Sequence, residues 1–432
     1  MKRRPPRPGP RRPQPRRRPP ARVERQPPPI PAPLPRAGQR LAELEEIELT
    51  IDRLVAGGEG LARFEGIPIF VPRSAPGDRV RARLVERRPD YGRAEIVELL
   101  APGPGRRSAP CPYFARCGGC DLQHLEDERQ TGLKAAAVLE TLARLGGVAR
   151  PARFEIVAGP AWGYRLRTQL QVESDTGGVR VGYHARGSHE LVPIADCPVL
   201  VPELRAALAE LPARLSATAP RRLDLVAGDD GAWTLAPPID GLPHGEVSLR
   251  VGEFSYSYDA RCFFQGHRGL VGALVEHAVG PWSGEEAFDL FCGVGLFSLP
   301  LARRYRRVLG VEGDSVAVRF ARNNARRNRL ANLDFEARAV DGWVRRLPPG
   351  AARVVVDPPR TGLGAVARAL LLERRPQRLT YVSCHPATLA RDLADLTSRY
   401  ALESLALLDL FPQTGHMEAV VQLVLAAPGA AT

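Results

Sequence analysis

The chain lacks any unbroken apolar run near the 18 residues a membrane-spanning helix needs, although 44% of its residues are apolar, so no span is expected. Its N-terminus lacks the apolar stretch of a secretory signal, which predicts a cytoplasmic protein in a reducing compartment. Seven cysteines, an odd number, then predict free thiols, and clustered ones predict metal binding or catalysis rather than disulfides. Lysine is nearly missing: only Lys2 and Lys134 stand among 61 basic residues, a bias that reads as codon preference. At 432 residues the chain is long enough for two or three domains.

The net charge of +13 is concentrated at one end. Residues 1–40 carry twelve arginines and Lys2 against Glu24 alone, with fourteen prolines, and the remainder is close to neutral. Such a segment cannot build a core and is expected to be disordered or polyproline-like. Its charge suits a polyanion such as RNA, or a solubilising arm. Residues 43–100 alternate apolar and polar, as in Ile47, Leu49, Ile51 and Val80, Ala82, Leu84, between turns at Gly57-Gly58 and Pro76-Gly77-Asp78. That pattern predicts a small antiparallel β-barrel, a shape that often binds single-stranded nucleic acid.

Cys111, Cys117 and Cys120 follow with spacing C-x5-C-x2-C around Gly118-Gly119. Three thiols leave a fourth position, for which Cys197 is the best candidate because Cys262 and Cys292 lie in other patterns. Four thiolates suit zinc or an iron–sulfur cluster, and spacing does not separate them. Residues 130–146 and 200–215 read as helices within strand-like alternation, predicting a central α+β region. Arg165 and Arg167 alternate with apolar neighbours, a pattern that suits a cleft or, as the safer reading, the surface.

From residue 286 strands and helices alternate, giving seven strands and predicting an α/β sheet covered on both faces. Ligands of such sheets sit beyond the carboxyl ends of the strands. There stand Gly293-x-Gly295 before a helix, Glu312 after strand two, Asp341 after strand three, Asp357 after strand four and Cys384 after strand five. Ser315 is expected to cap the helix after Glu312. A dinucleotide fingerprint wants a third glycine where Ser298 stands, and the P-loop lysine is missing. Glu312 placed for ribose hydroxyls and Asp341 for an adenine edge fit S-adenosylmethionine better than NAD.

Taken together, Gly57-Gly58-Glu59-Gly60 with Val71-Pro72 and Gly77-Asp78 resembles the TRAM domain. The rest resembles the RNA uracil-5 methyltransferase family, in its iron–sulfur branch acting on 23S ribosomal RNA. The motifs are the four cysteines, Phe263-Phe264-Gln265, Asp289 to Gly295, Asp357-Pro358-Pro359-Arg360, Ser383-Cys384-His385-Pro386 and Phe411 to Glu418. The resemblance implies a disordered tail (1–40), a TRAM-like barrel (43–100), a central α+β domain with the metal cluster (101–265) and a Rossmann-like class I methyltransferase domain (266–432). It implies Cys384 as nucleophile at uracil carbon 6, in a polar and partly positive setting, and Glu418 as the base that removes the carbon 5 proton. It implies Gln265, Phe291, Gly293, Gly295, Glu312 and Asp357 as pocket residues, Phe263 stacked on a base, and a [4Fe-4S] cluster on Cys111, Cys117, Cys120 and Cys197, structural or RNA-facing, with zinc the lesser alternative. A monomer acting on RNA is expected.

The chain departs from the family pattern at three places. His385 replaces an asparagine and would tune the thiol or cap the next helix; Leu296 replaces another; and the stretch around Asp341 is short. Transfer RNA as substrate, a non-catalytic RNA-binding protein and a small-molecule methyltransferase are the competing readings. Retention of both Cys384 and Glu418 argues against the second, and the barrel and tail against the third.

Overall fold

A computed structural model describes residues 44–427. The arginine–proline tail assigned to residues 1–40 lies outside the described residues. Strands β1 (Glu46–Leu54), β2 (Gly60–Phe64), β3 (Ile67–Val71), β4 (Arg79–Arg87) and β5 (Gly92–Ala101) close a barrel in the order β1-β2-β3-β5-β4. Closure leaves no open strand edge. The alternation in β1 and β4 turns Ile47, Leu49, Ile51, Val80, Ala82 and Leu84 into the barrel core while their neighbours face outward. The Gly57-Gly58 turn uses backbone angles of φ +98° and +82° and presses on Gly415, where an added Cβ would sit 2.1 Å from the Gly57 carbonyl carbon. The barrel thus touches a loop near the other end of the chain.

After the cysteine-bearing loop come α1 (Asp127–Gly146), β6 (Arg153–Val157), β7 (Arg167–Asp175), β8 (Gly178–His184), β9 (Leu191–Pro193), α2 (Pro202–Arg214), β10 (Arg222–Ala227), β11 (Trp233–Ala236), β12 (Glu246–Val251) and β13 (Phe254–Asp259). A five-stranded sheet runs β11-β10-β7-β8-β9, and β12 and β13 form a separate hairpin. The turn read at Asp175–Gly178 is the β7–β8 connection. Helix α1 begins on Asp127 and Glu128, which favour a helix N-terminus, and ends at left-handed Gly147.

The third part contains α3 (Val271–Val279), β14 (Gly284–Leu290), α4 (Ser298–Ala302), β15 (Tyr305–Glu312), α5 (Ser315–Arg327), β16 (Leu333–Ala337), α6 (Val340–Trp343), β17 (Arg353–Val356), α7 (Ala365–Arg374), β18 (Arg378–Ser383), α8 (Pro386–Leu396), β19 (Tyr400–Leu408) and β20 (Glu418–Leu425). The sheet has eight strands, β16-β15-β14-β17-β18-β20-β19-β6. All neighbours are parallel except at β20, which runs opposite to β18 and β19. The eighth strand, β6, comes from far upstream and was not among the seven read from the sequence. Val355, Val382 and Val420 face one core; Val354, Val356, Tyr381 and Val421 face the other. This is the two-sided burial that continuous apolar strands require. The cap of α5 is Asp314, not Ser315: its Oδ1 accepts from the Val316 N–H at 2.8 Å. Asp314 holds the extended backbone conformation of a cap while Ser315 is already helical.

Fully buried Asn324 ties the hairpin to the glycine loop. It accepts from Ser257 N at 2.7 Å and donates to Ser257 O at 3.1 Å and Val294 O at 3.0 Å. Asn324→Ala strands these groups and is expected to cost about 2–4 kcal/mol, measured as a lower denaturant midpoint with an unchanged slope.

Candidate active site

The reversed strand is what assembles the site. Parallel strands deliver their last residues to one edge of the sheet. Thus Phe291 follows β14, Glu312 ends β15, Asp357 follows β17 and Cys384 follows β18. Because β20 is antiparallel to β18, its first residue lies at the same edge: Ser383 pairs with Ala419, and Glu418 pairs with Leu408 of β19. Gln265, Phe291, Gly293, Glu312, Asp341, Asp357, Cys384 and Glu418 all line one cleft of about 910 Å³. Gly295 is not on its wall. Its φ of +92° and a Cβ that would meet Leu299 at 2.9 Å give it a turn-packing role. Asp341 arrives from the single turn α6 rather than from the end of β16.

One half of the cleft is a cradle of backbone. Phe291 holds φ +65°, an uncommon angle for a side chain of its size. Gly293 N donates to Glu312 Oε2 at 3.1 Å and Asp314 N to Oε1 at 2.9 Å, which fixes the carboxylate at the lip. Buried Gln265 Oε1 has no hydrogen-bond partner among the described residues and is an acceptor free for a ligand. Beneath the glycine loop, burial raises the Asp289 carboxyl to about 7, with Ser298 donating to it. An open glycine turn, a fixed carboxylate and an orphan acceptor fit a nucleoside-bearing sulfonium.

The other half carries Asp357, Cys384 and Glu418. Burial, followed by the neighbouring Glu418 carboxylate, pushes the Cys384 thiol up to about 11, while Arg360 pulls it down. Burial and then Asp289 and Glu312 raise Asp357 to about 8. Glu418 lies well above its ordinary range through burial and then Asp357, again opposed by Arg360. The surroundings of the thiol are therefore richer in acid than the positive setting expected from the sequence, with Arg360 the cation that counters them. The Arg360 loop is anchored from below: buried Asp392 accepts from Leu363 N at 2.8 Å, Tyr381 Oη at 2.6 Å and Arg368 Nη1 at 3.0 Å. Of its two expected roles, His385 takes the cap, its Nδ1 accepting from Thr388 N at 3.3 Å.

Further residues shape the cleft and its mouth. Phe411 lines the cleft, and its loop is clasped by the segment behind the cysteines. Gln413 N donates to Gln130 Oε1 at 3.0 Å, Gln413 Nε2 to Asp127 Oδ1 at 2.6 Å, Gly415 N to Asp121 Oδ2 at 3.0 Å and Tyr164 Oη to Pro412 O at 2.9 Å. Phe263 is 62% exposed at the mouth. The Arg167 guanidinium lies 5.4 Å from its ring centre. Arg165 and Arg167 are not free surface side chains: both line a second cleft continuous with Phe263 and Phe411.

Cys111, Cys117, Cys120 and Cys197 line one small cavity with Arg165 and Tyr183. All four are free thiols. Burial raises Cys117 and Cys197, and raises Cys120 to about 12. No three Cys, His, Asp or Glu side chains among the described residues converge closely enough for a single metal ion. Four thiols lining one cavity are a donor set that would suit either an iron–sulfur cluster or zinc.

Two family profiles match the chain. One, described as tRNA (Uracil-5-)-methyltransferase, covers residues 245–341 and 350–425, and the TRAM domain covers residues 41–97. The 23S rRNA (uracil(1939)-C(5))-methyltransferase RlmD of Pectobacterium atrosepticum is 34% identical over 421 residues, covering 87% of this chain and 93% of its own. The RlmD of Pseudomonas putida is 34% identical over 439 residues, covering 89% and 96%. Among solved structures, the Pyrococcus abyssi tRNA (uracil-54, C5)-methyltransferase in complex with S-adenosyl-L-homocysteine superposes with a TM-score of 0.67 at 26% identity, covering 87% of this chain and all of that one. No helix among the described residues is long and apolar enough to cross a membrane.

A thiol raised to about 11 is neutral at pH 7 and gains its charge only as pH climbs toward that value. Alkylation of Cys384 by iodoacetamide, followed by peptide mass spectrometry on the ligand-free protein, should therefore speed up about tenfold per pH unit between pH 7 and 10. A fast, pH-independent rate would contradict the acid-rich setting.

Proposed function

Because the chain belongs to the RNA (uracil-5-)-methyltransferase family, whose members use S-adenosylmethionine to methylate carbon 5 of uridine in RNA, we propose that its substrate is 23S ribosomal RNA and that Cys384 and Glu418 carry the reaction. The observation that carries the residue assignment is the pairing of Ser383 with Ala419, which sets thiol and carboxylate on one cleft wall.

Carbon 5 of uracil is too weak a nucleophile to attack a methyl group unaided. The Cys384 thiolate adds to carbon 6, and the ring electrons move toward carbon 5 and the carbonyl oxygen. The bound donor supplies the electrophilic methyl group and a positive charge on sulfur. Carbon 5 takes the methyl; Glu418 then removes the carbon 5 proton, the electron pair re-forms the ring double bond, and the thiolate leaves carbon 6. Arg360 stabilises the thiolate at both ends of this cycle. Glu418, with its affinity for protons raised by burial, is a stronger base than a surface carboxylate. Asp357, raised by burial and then by Asp289 and Glu312, holds a proton more readily than a surface carboxylate, and in its protonated form is able to donate to a carbonyl oxygen. Glu312 and Asp341 serve the nucleoside end of the donor, and Gln265, Phe291, Gly293 and Gly295 shape its pocket. Phe263 offers a face for a base. The target base has to leave its stack to reach the cleft, which favours a loop or single strand.

Cys111, Cys117, Cys120 and Cys197 would hold a [4Fe-4S] cluster beside Arg165, in a structural or RNA-facing role. The barrel and the basic tail would grip the RNA. Transfer RNA is the second reading, favoured by the likeness to the Pyrococcus abyssi enzyme; the ribosomal relatives match at higher identity over as much of the chain.

Three outcomes test these readings. Glu418→Gln should accumulate a denaturant-resistant RNA–protein adduct that Cys384→Ala cannot form, and Cys384→Ala should lose methylation by more than about 1000-fold while RNA binding stays within a few-fold. Mapping of 5-methyluridine in cells with and without the gene should show the loss in 23S RNA and not in transfer RNA. Anaerobically isolated protein should carry about four iron atoms per chain, falling on Cys197→Ser; one zinc per chain would replace the cluster assignment.

A further inference from the structure

We propose that Lys134 is a positioning residue for the catalytic base, its ammonium fixing the loop 409–417 from which Glu418 emerges; this rests on the reading of Glu418 as that base. Two independent observations carry it. The first is compositional: in a chain with 59 arginines, Lys134 is the one lysine among the described residues. The lysine thus stands out against arginine at every other Lys/Arg position among the described residues.

The second is geometric. The Lys134 side chain is 2% exposed. Its Nζ donates to Asp409 Oδ1 at 2.5 Å, His416 O at 3.0 Å and Phe411 O at 3.1 Å. Three donors meet three acceptors, which saturates an ammonium. A planar, longer guanidinium cannot point its forked donors at three oxygens converging on one spot. The three acceptors belong to the entry, the middle and the exit of the loop. Asp409 follows β19, Phe411 lines the cleft, and His416 stands two residues before Glu418. Asp409 is held from its other side by Thr131 Oγ1 at 2.9 Å and by its own N–H to Val157 O at 2.8 Å. One cation therefore closes the loop on itself and ties it to α1. Without it, three inward-facing acceptors lose their common donor, and Phe411 and Glu418 shift at the cleft wall.

Lys134→Met alone would leave the Asp409 carboxylate buried and unpaired, a cost to folding that obscures any other effect. The test is therefore the pair Lys134→Met with Asp409→Asn, in the full-length, metal-loaded protein. A melt within a few degrees of wild type is expected, with KM for RNA and for S-adenosylmethionine within about threefold and kcat lower by about 10–100-fold. During turnover with a methyl-labelled donor, a labelled covalent RNA–protein complex should build up, because methyl transfer proceeds and proton removal lags. Wild-type kcat in the folded pair, or a lower kcat without the labelled complex, overturns the proposal. Should the pair not fold, Lys134→Gln, which retains two donors, is read by the same labelled complex. Glu418→Gln runs alongside: if it traps no complex, the base assignment itself has failed, whereas trapping there and not in the lysine variants rejects Lys134 alone.

Discussion

The antiparallel pairing of β20 with β18 is the constraint on which the site depends. In an all-parallel sheet each strand offers only its last residue to the ligand edge, so a strand contributes one group per crossover. Reversing one strand makes its first residue face the same edge, directly beside the end of its neighbour. Glu418 and Cys384 are thereby neighbours in space while 34 positions apart in the chain. The register is fixed by burial on both faces: a slip of one residue would exchange the two cores that Val420 and Val421 separately fill.

Electrostatics follow from that assembly. Asp289, Glu312, Asp357 and Glu418 crowd one edge, and desolvation, followed by repulsion from neighbouring carboxylates, holds Asp289, Asp357 and Glu418 above the ordinary carboxylate range. Arg360 is the countercharge the chain itself supplies to the thiol and to Glu418. A cleft so short of positive charge favours a cationic ligand, and the same cation would favour ionisation of the thiol. In the proposed mechanism, donor binding and ionisation of the Cys384 thiol would be linked by one charge balance.

Much of this architecture was legible in the residues. Period-two alternation in residues 47–51 and 80–84 marked the barrel, because one face of a strand in a small barrel must be apolar. Strand ends marked Glu312, Asp357 and Cys384, because apolar runs stop where the sheet meets solvent. What escaped has a common physical character. Strand β6 exposes most of its residues and pairs with a strand some 250 positions away, so no local pattern betrays it. Asp341 fell on a helical turn because β16 stops at Ala337. The acid-rich setting of Cys384 arises from four segments that meet only in three dimensions. Lys134 was visible as a rarity and was read as codon usage, since rarity carries no direction until the acceptors around it are known.

The route of β6 has a further consequence. The chain leaves the central region, lays one strand along the outer side of β19 and returns to build the β7–β11 sheet. Helix α1 likewise contributes Ala135, Val138 and Leu142 to the core beneath the catalytic strands. The catalytic sheet is therefore not a contiguous stretch of sequence, and a fragment beginning near residue 266 would expose the flank of β19 and an unroofed apolar face. Such a fragment invites edge-to-edge aggregation, so gene fusions or truncations at that apparent boundary would leave a sticky half.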